Sequence, residues 1–198
     1  MKKVYEIKEQ TLINDILNNA EFGTLAICAD NRPYSLPLNY VVVKDEIFVH
    51  GKKTGKKIDI MKTNSYASFS VVESFSTLPS YFSTDDGRAS PATHMYKSVI
   101  IDGHTEFIDD YDTKANALEE LMKKYQKEGG YIPLSDAIYQ KIINATCIYK
   151  LVPSSLSAKF HLGQDYSEER FKRVCVHLKQ RGTQKDLETL KMLETFRV

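Results

Sequence analysis

Residues 37–59 read PLNYVVVKDEIFVHGKKTGKKID. Two β-type runs are joined at Lys44-Asp45-Glu46, and the second ends in His50-Gly51. A basic, glycine-punctuated segment follows, with Lys52, Lys53, Lys56 and Lys57. An extended edge offers backbone donors and acceptors to a flat polar ring. A histidine and clustered ammonium groups beyond it suit a phosphate tail. Lys56 and Lys57 open a helix just after Gly55, where free backbone N–H groups and the positive end of the helix dipole favour phosphate, and lysine adds point charge. Taken alone, such a loop is more often a solvated basic surface. The His50-Gly51 context adds weight to the reading as a ligand site.

Working outward, strands are expected over 22–29, 34–43, 46–50, 66–72, 95–108 and 146–152, with Asp30-Asn31-Arg32-Pro33 as a turn. Helices are expected over 9–19, 56–63 and 112–124. The last is capped by Asp112 or Thr113 and carries Ala115, Leu118, Leu121, Met122 and Tyr125 on its apolar face. A short helix at 135–142 follows. Ser167 caps another, with Phe171, Val174, Cys175 and Leu178 as its stripe and Arg181-Gly182 at its end, and a final helix covers 185–194. Residues 74–93, with Pro79, Gly87 and Pro91, read as a long loop. Six strands with mostly short connections predict a mainly β fold with α additions. Its form is a small six-stranded antiparallel β-barrel with peripheral and C-terminal helices. A single domain, 1–198, accounts for the chain, with the barrel at about 20–152 and a helical extension at about 153–198.

Composition narrows the function. The 198 residues suffice for one domain with a real core. With 27 basic and 26 acidic residues the formal charge is +1, which gives no global pull toward nucleic acid or a membrane. No segment has the apolar length of a membrane span, and MKKVYEIKEQ lacks the apolar core of a signal peptide, so a cytoplasmic location is expected. Cys28, Cys147 and Cys175 are far apart and lack CxxC spacing, and are read as buried structural thiols.

The catalytic vocabulary is sparse. There is no GxSxG, GxGxxG or Walker loop, and His94, His104, His161 and His177 lack the HxxxH or HExxH spacing of a metal site, so no metal is expected. Asp85-Asp86-Gly87-Arg88 reads as an exposed turn. Redox power would therefore reside in a bound cofactor, with the protein supplying position and electrostatics and solvent or His50 a proton.

Several segments in order resemble the pyridoxamine 5′-phosphate oxidase-like FMN-binding split-barrel proteins, and within them the group of 5-nitroimidazole-resistance (Nim) reductases. They are Phe22-Gly23-Thr24-Leu25-Ala26, PYSLPLNYV, IFVHGKKTGKKID, YASFSVVE and Tyr96-Lys97-Ser98-Val99. The tail KFHLGQD through LKQRG resembles a C-terminal extension found in part of that family. The resemblance implies a homodimer with FMN at the subunit interface. By position, Leu38, Asn39 and Tyr40 match the strand whose backbone lies against the isoalloxazine ring. His50 and Gly51 match the strand end reaching the ribityl phosphate, Lys56 and Lys57 the basic pair at the phosphate, and Ser98 a polar contact near the ring. Lys52 stands where the family has a small residue, and adds charge. Lys97 replaces an arginine and loses bidentate bonding. Gln164, with Lys159 and His161 in the loop expected over 159–165, is placed within reach of a partner's flavin, and Phe75, Leu78, Tyr81 and Phe82 in the 74–93 loop are expected at the dimer interface. The implied activity is FMN-dependent electron transfer to a small flat acceptor such as a nitroaromatic, with NAD(P)H as a donor. The alternative is a non-catalytic sensor or store of the same fold, holding flavin, haem or a deazaflavin.

Overall fold

The computed structural model describes residues 2–196. Eight strands occur: β1 (Glu6–Ile7), β2 (Gly23–Ala29), β3 (Arg32–Leu38), β4 (Val41–Val43), β5 (Glu46–Gly51), β6 (Tyr66–Leu78), β7 (Thr93–Ile108) and β8 (Cys147–His161). The helices are α1 (Gln10–Asn19), α2 (Lys56–Thr63), α3 (Tyr111–Tyr125), α4 (Gln140–Ala145), α5 (Glu168–Arg181) and α6 (Gln184–Phe196). The sheet order is β3-β2-β6-β7-β8-β5-β4, with β1 pairing antiparallel to the end of β8. Among the described residues no pairing joins β3 to β4. The expected six-stranded barrel is thus an eight-stranded sheet with two ends. The count changes because the expected strand 34–43 is broken at Asn39-Tyr40, and because Glu6–Ile7 adds a short strand.

The chain divides into two compact units. Within the described residues, the first contains 2–13, 72–98 and 158–196, and the second 14–71 and 99–157.

In the second unit, β2 and β3 form a hairpin closed by Asp30 and Asn31, and β4 and β5 one closed by Lys44 and Asp45. All four turn residues have positive φ, the conformation a two-residue turn needs to match strand twist. β5 then pairs with β8, placing His50 opposite Ile148 and Gly51 opposite Cys147. One core cluster joins Val41, Phe48 and Ile148 of the sheet to Ala117 and Leu121 of α3. Helix α3 starts one residue earlier than expected, because Asp110 is its cap and accepts from the Thr113 backbone N–H at 2.8 Å. Its buried side chains are Lys114, Ala115, Ala117 and Leu121, a face rotated from the expected one. Gly103 permits the closest approach of β7 to β8, since a Cβ there would stand 2.1 Å from the Val152 carbonyl oxygen.

In the first unit, Ser167 caps α5 by accepting from the Arg170 N–H, and Gly182 ends it in the left-handed conformation, both as the sequence indicates. The expected 74–93 loop is strand as far as Leu78, followed by a short 3-10 turn, Ser80–Phe82. Phe75, Leu78 and Phe82 are buried within the chain, and only Tyr81 among the four is exposed, so the chain itself accounts for three of the apolar side chains assigned to an interface. Likewise the expected last strand, 146–152, continues through His161. Of the cysteines, Cys147 is buried and Cys28 and Cys175 only half-buried, so two of the three are less enclosed than expected; all are free thiols.

Candidate functional site

The second unit contains a recess of about 510 Å³ lined by Phe22, Pro37, Leu38, Asn39 and His50. That volume falls in the range of small-molecule sites. The recess exists because β3 stops at Leu38. Beyond it, Tyr40 donates its backbone N–H to the Tyr125 hydroxyl at 3.1 Å, and that hydroxyl donates in turn to the Glu21 carbonyl at 2.6 Å. The Asn39 amide also donates to the Glu21 carbonyl, at 3.2 Å. Tyr40 is wholly buried. Its ring meets Phe69 edge-on at 5.0 Å and its hydroxyl donates to the Leu17 carbonyl at 2.6 Å. The segment 38–40 is therefore pinned by a buried tyrosine and by a hydroxyl standing in for a strand partner.

His50 comes from the end of β5. Solvent reaches it, yet the surrounding protein lowers its pKa below the ordinary histidine value, and the nearby Lys57 ammonium lowers it further. Lys57, in the first turn of α2, lies close enough to Gly51 that a Cβ there would stand 2.7 Å from Nζ, and Nζ is 5.5 Å from the Tyr149 ring centroid. Burial lowers the Lys57 pKa. Among the described residues no carboxylate lies within 4 Å of its ammonium. Burial raises the Cys147 thiol, with Lys57 and then Lys114 acting against it. The Lys114 ammonium, on a side chain with 4% exposure, donates to the Thr146 carbonyl at 2.9 Å.

Of the residues singled out in the sequence, Leu38, Asn39 and His50 line the recess, and Gly51 and Lys57 continue from His50. Tyr40 is not part of that lining; its side chain belongs to the core. Lys56 turns the other way, its ammonium 4.3 Å over the Tyr34 ring, and Lys52 is exposed. Ser98, half-buried on β7, and Gln164 belong to the first unit. Both ends of the Gln164 amide brace its own turn: Nε2 donates to the Phe160 carbonyl and Oε1 accepts from the Leu162 N–H, each at 2.9 Å. Sequence reasoning missed Pro37 and Tyr125 as site-forming residues and gave Phe22 no role. The usable signal for Phe22 was a large aromatic directly before the tight Gly23 position, where a Cβ would stand 2.2 Å from the Phe69 ring.

Residues 9–160 match the family model for pyridoxamine 5′-phosphate oxidase. No curated protein matches the chain. Among solved structures, a candidate 5-nitroimidazole antibiotic resistance protein from Bacteroides thetaiotaomicron is similar at TM-score 0.64 and 19% identity, over 78% of this chain and 85% of that one. The FAD and haem binding protein from Mycobacterium smegmatis is similar at TM-score 0.65 and 20% identity, over 79% and 73%. The flavocytochrome Anf3 from Azotobacter vinelandii is similar at TM-score 0.67 and 18% identity, over 87% and 78%. These identities establish a shared fold, and the family match covers most of the chain. The chain belongs to the pyridoxamine 5′-phosphate oxidase-like family of split-barrel proteins.

Proposed function

We propose that this protein binds FMN in the recess at Leu38-Asn39 and His50 and acts as an oxidoreductase on a small flat acceptor. The observation that carries the reading is the juxtaposition in one unit of an open recess floored by the interrupted β3 end and, beyond His50, a half-buried ammonium with no carboxylate partner. The Asn39 backbone, beyond the last ladder pair at Leu38, matches a polar ring edge, while the Tyr40 backbone groups are taken by the Tyr125 hydroxyl. Lys57, with the free N–H groups at the start of α2, matches a phosphate. When bound, reduced flavin supplies the electrons. The protein's part is to hold the ring against Leu38 and Asn39, to keep Phe22 as an apolar wall, and to present the His50 imidazole, which exchanges a proton with the bound molecule. The two structural neighbours described as FAD and haem binding or as a flavocytochrome support a flavin ligand on this fold. The neighbour described as a 5-nitroimidazole resistance protein supports a nitroaromatic acceptor. Phe22, 58% exposed at the mouth, supports a second copy of the chain as the cover over the ring.

The test is the absorption spectrum of the protein after incubation with FMN and gel filtration, followed by anaerobic mixing with NADH and NADPH and then with a nitroaromatic. Retained flavin bands that bleach with a nicotinamide and return with the acceptor are expected. Retained flavin that no donor and acceptor pair can cycle would leave a binding protein and overturn the oxidoreductase assignment.

A further inference from the structure

A second recess, of about 400 Å³, adjoins the first and shares Phe22 and Asn39 with it. Its other walls include Glu21, Lys124, Tyr125 and Lys127. Lys124 lies on the same helical face as the buried Leu121, Ala117 and Lys114, which precede it by three, seven and ten residues along α3. Its ammonium donates to the Leu17 carbonyl at 3.1 Å and sits 3.6 Å from the Tyr40 ring centroid. Both partners are neutral groups. An ammonium has three N–H donors, and this one has a single hydrogen-bond acceptor among the described residues. No carboxylate lies within 4 Å of Lys124 or Lys127 among the described residues. Lys127 is close enough to repel Lys124, and burial first, then that repulsion, brings the Lys124 pKa down to about 8. Two lysines thus line a recess whose lining has one acidic residue, Glu21. Tyr125 cannot relieve them, because its hydroxyl is committed to Glu21 and Tyr40.

We propose that this second recess binds the anionic head of a small organic molecule, a carboxylate or a phosphate ester, through Lys124 with help from Lys127. The shared wall at Phe22 and Asn39 then lays the body of the molecule toward the first recess. For that orientation the inference rests on the flavin reading, and it would give the electron acceptor a negatively charged substituent.

The experiment measures acetylation of Lys124 by acetic anhydride, mapped by mass spectrometry, with benzoate, phenyl phosphate or inorganic phosphate present, in FMN-free and FMN-loaded protein. Benzoate or phenyl phosphate should protect Lys124 and leave Lys56 unprotected. Protection by benzoate alone assigns a carboxylate head, by phenyl phosphate alone a phosphate ester, and by inorganic phosphate as well a site that recognises the head without the ring. Calorimetry of the same probe should show affinity falling roughly tenfold or more in Lys124→Met and severalfold in Lys127→Glu, an exposed position where the fold is not at risk. If no probe protects Lys124 while FMN binds, this inference fails alone. If a probe protects it and FMN does not bind, the flavin reading fails and the anion site stands. Wild-type probe affinity in Lys127→Glu and Lys124→Met would also overturn the proposal.

Discussion

The two units treat charge in opposite ways. In the first, Asp186 is fully buried and completely served. It accepts from Ser76 Oγ at 2.6 Å, from Arg181 at 2.6 and 2.9 Å, and from the Thr183 hydroxyl at 2.7 Å, and the Arg181 guanidinium holds its carboxyl well below the usual carboxylate range. Lys97, 7% exposed, has Glu73 at 3.5 Å and the rings of Phe75, Phe160 and Phe196 at 5.0–5.2 Å from its ammonium. In the second unit, Lys57 and Lys124 are partly desolvated with no carboxylate within 4 Å among the described residues. Burying a charge is costly unless it is paired. A charge compensated inside the chain builds structure. One left uncompensated beside a recess is, on the proposed reading, a place where a ligand supplies the missing partner.

The largest expected effect breaks the first kind of charge. Asp186→Ala strands Arg181 and leaves the Ser76 and Thr183 hydroxyls without their acceptor, so it should cost about 3 kcal/mol in a denaturant melt while leaving FMN affinity unchanged. Loss of FMN binding in folded Asp186→Ala would mean the two kinds of charge are not separable.

The next effect is in pH. The His50 pKa is depressed in the folded protein, so its stabilising contribution is present above the unfolded value and is lost as pH falls through the folded one. A bound phosphate reverses that balance by favouring the imidazolium. The ratio of FMN affinity in wild type to that in His50→Asn should therefore rise as pH falls from 8 to 6, by less than about tenfold per pH unit, the limit for uptake of one proton. Taking the ratio cancels the second ionisation of the phosphate itself, near about pH 6. A ratio that falls with pH would place the phosphate away from His50.

The smallest effect separates neighbours. Lys56 is exposed and lies over Tyr34, whereas Lys57 is half-buried beside His50. Lys56→Ala should weaken FMN by less than about fivefold, because an exposed ammonium contributes under about 1 kcal/mol. A larger loss than that of Lys57→Ala would reassign the phosphate contact to the outer lysine.

Much of this was legible in local sequence. Gly55 before Lys56, Ser167 before two glutamates and Gly182 after Arg181 each state a helix boundary through backbone chemistry acting over a few residues. The interruption at Asn39-Tyr40 was only faintly legible, in the low strand preference of Asn39, because the break is stabilised by a hydroxyl 85 residues away. Strands β6 and β8 outran expectation for a similar reason. Ser74, Thr77 and Pro153 look like loop residues locally, yet tertiary packing extends both strands past them. The Gln164 amide was taken for a ligand contact, whereas its two ends close a turn five residues long. Lys124 could have been found by noticing that lysines at 114 and 124 share a helical face with Ala117 and Leu121.

A fluorescence-quenching titration of FMN and of riboflavin into wild type and Lys57→Ala shows whether the uncompensated Lys57 ammonium receives a phosphate, as proposed. Wild type should bind FMN at least about tenfold more tightly than riboflavin. Lys57→Ala should lose about 1.5–3 kcal/mol for FMN and nothing for riboflavin. Equal affinities for the two flavins in wild type, or equal losses in the variant, would contradict the proposal.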